Sequence, residues 1–226
     1  MKKLILNFNS KDSKKIKNPK NFLGGKGANL SEMGRMGLPV PPGFIISTKV
    51  CEIFYKDKKK LNKNLISQIK KELKLIEKDV SKKFGDLKNP LLLSVRSGAR
   101  VSMPGMMDTI LNLGLNDKTV KALAIKTSNG RFAKDSYRRF IQMYGNVVMG
   151  VEGYHFEELI ENYKLTKGVL LDTDLDESDW DGLIEDFKRT VREKAKKDFP
   201  QDVYEQLLGA ISAVFLSWES NRAKVY

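Results

Sequence analysis

The sequence predicts an α+β protein, and two patterns of apolar residues support that fold class. Before about residue 115, short apolar runs typical of strands alternate with helical segments and are separated by Gly and Pro. From Asp117 onward, apolar residues recur at helical spacing over long segments. With 226 residues and 41% hydrophobic side chains, the chain is long enough to bury a core.

The first region is predicted to contain short strands and helices. Residues 3–8 and 44–46 are short apolar runs bounded by polar or proline-containing segments, so we expect both to be strands. Residues 65–84 carry isoleucine and leucine at helical spacing. They are predicted to form one helix that Gly85 ends.

The second region is predicted to be almost entirely helical. Its clearest helix lies between stop signals at Asn129 and Gly150. One apolar stripe marks that helix and comprises Ala133, Tyr137, Phe140, Ile141, Tyr144, Val147 and Val148. Further helices are predicted at about 156–165, 180–197 and 202–217.

The excess positive charge is confined to the first third of the chain. Residues 1–74 hold 18 of the 41 Lys and Arg residues but only 5 of the 28 Asp and Glu, a net charge of +13. The remaining 23 basic and 23 acidic residues cancel. The lysine runs lack interleaved aromatic side chains, so we expect no nucleic-acid partner. A solvated lysine face is the preferred interpretation, and its field could also draw anionic nucleotide towards Lys26 or contact an acidic neighbouring domain.

Cysteine content and hydropathy indicate a protein of a reducing compartment. Cys51 is the single cysteine, which excludes an internal disulfide, and its place on a predicted helix face favours a small buried hydrophobe. No apolar run approaches the roughly 20 residues that span a bilayer. We therefore expect a cytoplasmic protein with no membrane partner.

A glycine-rich stretch around Lys26 is the first candidate site. Gly24, Gly25 and Gly27 would let the backbone approach a ligand, and a helix predicted to begin near Ala28 would direct its free N–H groups at the same place. The stretch is not a P-loop, because that motif requires a glycine at position 20 and a hydroxyl residue at position 27. A simple change of chain direction is the alternative interpretation. Leu30, Met33 and Gly34 are predicted to face inward on that helix.

A second candidate stretch follows Asn89-Pro90. Residues 91–95 form an apolar run that predicts a buried strand, which would deliver Arg96 to its C-terminal end. The planar guanidinium of arginine suits phosphate oxygens, and Ser97 with Gly98 would offer backbone donors beside it. Met103 and Met106 fall in a segment that resembles a mobile, apolar flap. The alternatives are a structural ion pair for Arg96 and a packing role for the methionines.

Taken together, these stretches resemble one family of enzymes. The sequence Gly24-Gly-Lys-Gly-Ala-Asn-Leu30, residues 37–44, and residues 94–114 with the phrase Met-Pro-Gly-Met-Met-Asp resemble the N-terminal part of the pyruvate phosphate dikinases, and the likeness extends to Tyr226. Phosphoenolpyruvate synthases share the Gly-Gly-Lys-Gly and Val-Arg-Ser elements. The Met-Pro-Gly-Met-Met-Asp phrase points to the dikinases.

The resemblance implies a partial ATP-grasp-like nucleotide-binding lobe with an inserted helical subdomain. We accordingly predict an α/β subdomain at 1–115, a helical subdomain at 116–200, and a helix that returns to the first subdomain at 201–226. By matching motif, Lys26 and Arg96 would contact ATP phosphates. Gly24, Gly25, Gly27, Ser97 and Gly98 would shape the loops around them, and Met103 with Met106 would line the flap.

The family's reaction converts ATP, pyruvate and phosphate into AMP, phosphoenolpyruvate and pyrophosphate through a phosphohistidine. The resemblance places that histidine, the pyruvate-binding domain and the carboxylates that hold Mg2+ after the segment matched here, in a protein expected to be a homodimer. It implies no catalytic residue and no metal ligand in this chain. We therefore expect the isolated chain to be inactive and to bind nucleotide weakly.

A nucleic-acid binder, which salt-dependent retention on heparin or RNA would test, ranks well below the dikinase interpretation. Two further alternatives stay open. One is the corresponding part of a phosphoenolpyruvate synthase-like dikinase, which shares the glycine and arginine motifs. The other is a freestanding basic interaction module that docks to an acidic partner through its lysine-rich third. The intact Lys26 and Arg96 motifs argue against the second, because docking does not require them.

Two further features invite functional interpretations that we do not adopt. His155, the only histidine, lies at a predicted helix start, where an ordinary packed or solvent-facing imidazole is expected. The acidic segment 172–181 fails the EF-hand pattern, because Glu177 replaces the required glycine and Leu183 the bidentate glutamate. Helix caps and first-turn carboxylates explain this segment better.

Overall fold

The computed structural model describes residues 4–8, 16–98 and 109–219. The chain divides into two compact units: a first unit of Met1–Ser81, Arg96–Thr109 and Ile211–Tyr226, and a second unit of Lys82–Val95 and Ile110–Ala210. The subdomain limits predicted at 115 and 200 stay predictions. Residues 82–95 and 110–115 group with the helices that follow them.

The first unit combines a small sheet with three helices. Its elements are β1 (Ile5–Asn7), α1 (Pro19–Arg35), β2 (Phe44–Ile46), α2 (Thr48–Lys56) and α3 (Lys63–Val80). Strands β1 and β2 pair antiparallel, which confirms the two strands predicted here. A cluster of Leu6, Phe22, Leu23 and Ile45 forms a core between this sheet and α1.

Two helix predictions in the first unit are wrong in detail. Helix α1 runs from Pro19 to Arg35 but is interrupted at the non-helical Gly24, so the part that holds Ala28 begins just after Gly24. It buries Gly27, Ala28 and Ser31, whereas Met33 is 40% exposed. Small residues face inward because the helix lies close to β2: a Cβ at Gly27 would lie 3.1 Å from the Ile45 side chain.

The helix predicted over residues 65–84 also ends earlier than expected. Helix α3 ends at Val80, because Ser81 adopts a left-handed conformation with φ 53° that caps the helix. Phe84 lies in a strand instead, so Gly85 is not the stop signal.

The second unit is mainly helical. Its elements are β3 (Lys83–Phe84), β4 (Pro90–Leu91), β5 (Leu93–Arg96), β6 (Thr109–Leu113), α4 (Thr119–Thr127), α5 (Gly130–Val147), α6 (Tyr154–Lys167), α7 (Glu177–Ala195) and α8 (Val203–Ser217). Arg96, Thr109 and residues 211–217 of these elements belong to the first unit. Strands β3 and β4 pair in parallel, and β5 pairs with β6.

The single buried strand predicted at 91–95 is divided between two strands. Leu91 ends β4, and Leu93 begins β5. Of residues 91–95 only Leu91 is buried. The segment is shared between two small sheets, and neither of them buries the whole of it. Arg96 is nevertheless the last residue of its strand, as predicted.

The predicted helices of the second unit are confirmed, with small shifts at their ends. The stripe on α5 is buried at Ala133, Tyr137, Phe140, Ile141 and Tyr144. The side chain of Asn129 accepts a hydrogen bond from the Phe132 N–H at 2.9 Å and caps the helix. Helices with small two-stranded sheets are compatible with the α+β class. Among the residues described, no helix combines the length and apolar character of a membrane span.

Candidate functional site

Helix α1 is broken at Gly24, and this break creates the candidate site. Gly24 has φ 73° and ψ 167°, a backbone conformation that favours glycine, and the helix resumes immediately after it. Gly25, Lys26 and Gly27 therefore lie in the first turn of the resumed helix rather than in a loop that precedes it. The N–H groups of such a first turn have no partner within the helix and form a natural anion site.

The backbone of Gly98 lies directly against this break. A Cβ on Gly24 would lie 2.6 Å from the carbonyl carbon of Gly98 and closer still to its oxygen. A Cβ on Gly98 would lie 4.0 Å from the Gly27 nitrogen and 4.0 Å from the Lys26 Cβ. The structure thus brings together the two glycine-containing stretches that the sequence indicated, and it does so within the first unit.

Both predicted phosphate-binding cations are exposed to solvent. Lys26 lies in the first turn after the break, and Arg96 lies at the C-terminal end of β5, two residues before Gly98. Lysine supplies a mobile point charge, whereas arginine supplies a planar fork of donors. The chemistry of these residues suits a polyphosphate at the Gly24–Gly98 contact.

Neighbouring elements fix the helix on either side of the break. The Thr48 hydroxyl, at the start of α2, donates a 2.6 Å hydrogen bond to the carbonyl of Asn21. On the other side, Gly27 packs on the Ile45 side chain, and the Ser31 hydroxyl donates to the Phe8 carbonyl at 3.4 Å. The break is therefore held by the sheet and by α2.

The side chain of Ser97 makes a contact that the sequence did not predict. Ser97 is 2% exposed, and its hydroxyl oxygen accepts a 2.9 Å hydrogen bond from the indole N–H of Trp218. Trp218 is the residue that our site prediction missed. Its only signal in the sequence was a tryptophan just after the predicted helix 202–217, which says nothing about its partner.

The remaining candidate residues fall outside the site or outside the description. Met103 and Met106, the predicted flap, lie outside the described residues. His155 lies in the first turn of α6, where its ring lies tilted against that of Tyr154 with a centroid distance of 4.0 Å. Cys51 is buried as predicted. Its burial is the main cause that raises the pKa of its thiol to about 11, and the negative charge of Glu219 adds to the rise.

The acidic segment 172–181 caps a helix, as the sequence indicated. The Asp176 carboxylate accepts hydrogen bonds from the backbone of Ser178 and Asp179, and Asp179 accepts one from the Asp176 N–H at 2.7 Å. Lys167 also contacts both carboxylates. Its hydrogen bond is the main cause that lowers the pKa of Asp176 to about 2, and the backbone donors add to it.

Comparisons with known proteins place this chain in a family. Residues 20–71 and 58–226 match the family described as "Pyruvate phosphate dikinase, AMP/ATP-binding domain". The chain is 52% identical over 208 residues to the pyruvate, phosphate dikinase of Clostridium symbiosum, covering 92% of this chain and 24% of that protein. It is 51% identical over 225 residues to the chloroplastic pyruvate, phosphate dikinase of Flaveria pringlei, covering all of this chain and 23% of that protein. It is 48% identical over 226 residues to the pyruvate, phosphate dikinase of Rhizobium meliloti (strain 1021), covering all of this chain and 25% of that protein. The chain thus spans about a quarter of the length of these relatives, and it belongs to the pyruvate phosphate dikinase AMP/ATP-binding domain family.

Proposed function

We propose that this chain supplies the phosphate-binding side of the ATP site of a pyruvate phosphate dikinase. The observation that carries the proposal is the contact between Gly24 and Gly98, which joins the Lys26 helix turn to the Arg96–Gly98 segment. Family membership supports the choice of nucleotide. The lobe would be ATP-grasp-like, and Met103 with Met106 would cover the bound phosphates.

Each residue of the site has a distinct task in this proposal. The N–H groups of the first turn after Gly24 donate to phosphate oxygens, and Gly24, Gly25 and Gly27 keep side chains out of the way. Lys26 and Arg96 neutralise the negative charge that builds up as a phosphoryl group leaves. Ser97 and Gly98 keep Arg96 beside the helix turn.

The whole reaction would require parts of a longer protein. In this proposal ATP, pyruvate and phosphate become AMP, phosphoenolpyruvate and pyrophosphate through a phosphohistidine in another domain, within a cytoplasmic or chloroplastic homodimer. Mg2+ in that enzyme would neutralise part of the charge of the ATP phosphates. No group of three or more His, Cys, Asp or Glu side chains gathers as a metal site among the residues described. In this proposal the magnesium ligands belong to another part of the longer protein.

A titration of the isolated chain with Mg–ATP, followed by the amide resonances of its glycines, tests the proposal. We expect weak binding that moves the amides of Gly25, Gly27 and Gly98, with no turnover of ATP. Lys26→Ala and Arg96→Ala should each weaken binding by about tenfold, since each removes a charge-assisted contact.

A lysine elsewhere in the first unit provides the matched control. Lys74→Ala removes the same charge from the exposed face of α3 and should leave the titration unchanged. Wild-type glycine amides that do not respond to Mg–ATP would overturn the proposal. Equal weakening by Lys74→Ala would reduce the effect to general electrostatic attraction.

A further inference from the structure

A part-buried hydrogen bond ties the Arg96–Gly98 segment to a distant part of the first unit. Trp218 and Ser97 are 121 residues apart in the sequence, and the indole N–H of the first donates to the hydroxyl of the second at 2.9 Å. Ser97 stands between Arg96 and Gly98. A restraint on its side chain therefore limits the motion of both neighbours.

Trp218 is itself held by the aromatic end of α2. Its ring meets the Phe215 ring edge to face, at a centroid distance of 6.5 Å, and the Phe215 ring lies 5.3 Å from that of Phe54. The hydroxyl of Tyr55 donates a 2.8 Å hydrogen bond to the Phe215 carbonyl. Phe54 is fully buried, so it is held in place by the core of the first unit and in turn restrains Phe215 and Trp218.

We propose that Trp218 is a positioning residue that holds Arg96 and Gly98 in their nucleotide-binding arrangement through Ser97. This inference rests on the proposed function, because it concerns the same phosphate site. Trp218 does not touch the nucleotide in this scheme. It lowers the conformational entropy that the Arg96–Gly98 segment loses when phosphate binds.

The size of the effect follows from the interaction that is removed. One neutral hydrogen bond is worth a factor of about five in an equilibrium constant. Trp218→Phe keeps an aromatic ring but removes the N–H donor, and Ser97→Ala removes the acceptor. Each should weaken Mg–ATP binding by about fivefold. The double variant should lose less affinity than the two single losses combined, because both changes break the same bond.

The experiment is a Mg–ATP titration of the full chain by its glycine amide resonances, carried out on Trp218→Phe, Ser97→Ala and the double variant. Trp180→Phe is the matched control, because the other tryptophan is fully buried in the second unit. We expect this control to lower stability without lowering affinity. In Ser97→Ala the indole N–H resonance of Trp218 should move while that of Trp180 stays in place, which verifies that the bond is broken. A fall in Mg–ATP affinity that Trp180→Phe does not share is the result that a merely structural role would not produce.

The outcomes separate this inference from the proposed function. Wild-type affinity in both Trp218→Phe and Ser97→Ala, or losses that add in the double variant, would overturn the positioning role. If Trp218→Phe does not fold, Ser97→Ala alone decides the matter by its affinity and its indole resonance. If Mg–ATP moves no glycine amide in the wild type, the proposed function fails. If Trp218→Phe still displaces the amides of Gly24 and Gly98 in that case, the structural link from Trp218 to the site is real but does not serve nucleotide binding.

Discussion

The core of the second unit and the candidate site of the first unit depend on opposite features of their side chains. The second unit depends on large side chains: Trp180, Phe187, Phe156, Phe140 and Tyr137 are all buried on its helices. The candidate site of the first unit depends instead on missing side chains, since Gly24 and Gly98 meet through their backbones. In the second unit a lost carbon atom is costly, whereas at the site an added one is.

This contrast separates stability from function. A truncation in the aromatic core should leave the phosphate site intact for as long as the protein is folded. A methyl group at the site should abolish binding, even though it removes no contact. The variants below test this separation, from the largest expected effect to the smallest.

Phe187→Ala should cause the largest loss of stability, about 3–5 kcal/mol in the free energy of unfolding. The side chain is fully buried on α7, and its ring lies 4.9 Å from that of Phe156, so its removal leaves a cavity. Urea unfolding measures the loss. The control is Phe132→Ala on α5, where the residue is 50% exposed and the expected change is within about 0.5 kcal/mol. Equal effects of the two substitutions would contradict the cavity argument.

Gly24→Ala should lower the free energy of unfolding by about 2–4 kcal/mol and abolish the response to Mg–ATP. The new Cβ would collide with the Gly98 backbone and force the two stretches apart. Urea unfolding and the glycine amide titration together measure both effects.

Two other glycines provide controls for Gly24→Ala. Gly37 has φ 76° but open space around it, so Gly37→Ala should show only backbone strain, about 1 kcal/mol. Gly98→Ala adds its methyl group at ordinary van der Waals distances and should fold normally. If Gly37→Ala and Gly24→Ala were equally harmful, φ alone would matter and the close contact would not.

Asp176→Ala should have the smallest effect, a fall of a few degrees in the melting temperature at neutral pH. The contact with Lys167 and the backbone donors of α7 lowers the pKa of this carboxyl from 3.8 to about 2. The stabilisation is therefore complete above the ordinary pKa and disappears as the pH falls through about 2. Melting curves of wild type and variant should converge there. Asp176→Asn keeps the helix cap but removes the charge. If this variant were as stable as the wild type at neutral pH, the ion pair with Lys167 would contribute nothing to stability.

Most of the helical region could be predicted from the sequence alone, because its determinants are local. The stripe on α5 repeats at the helical period, and Asn129 and Asp176 cap the helices that follow them. The residues of the candidate site, Lys26 and Arg96, could also be singled out by their glycine neighbours. The break inside α1 and the end of α3 could not, because they depend on the backbone conformations of Gly24 and Ser81.

The sequence by itself determined the α+β class, the helices of the second unit and the two stretches that make up the candidate site. The tertiary structure decided how those stretches meet: Gly24 against Gly98, and Trp218 on Ser97. It also decided that the buried Gln206 side chain bonds the backbone of Gly114 and Leu115. The physical reason is the same in each case. The period of a helix is visible in the spacing of its apolar residues along the sequence. A single close backbone contact or hydrogen bond between distant residues leaves no repeating pattern there.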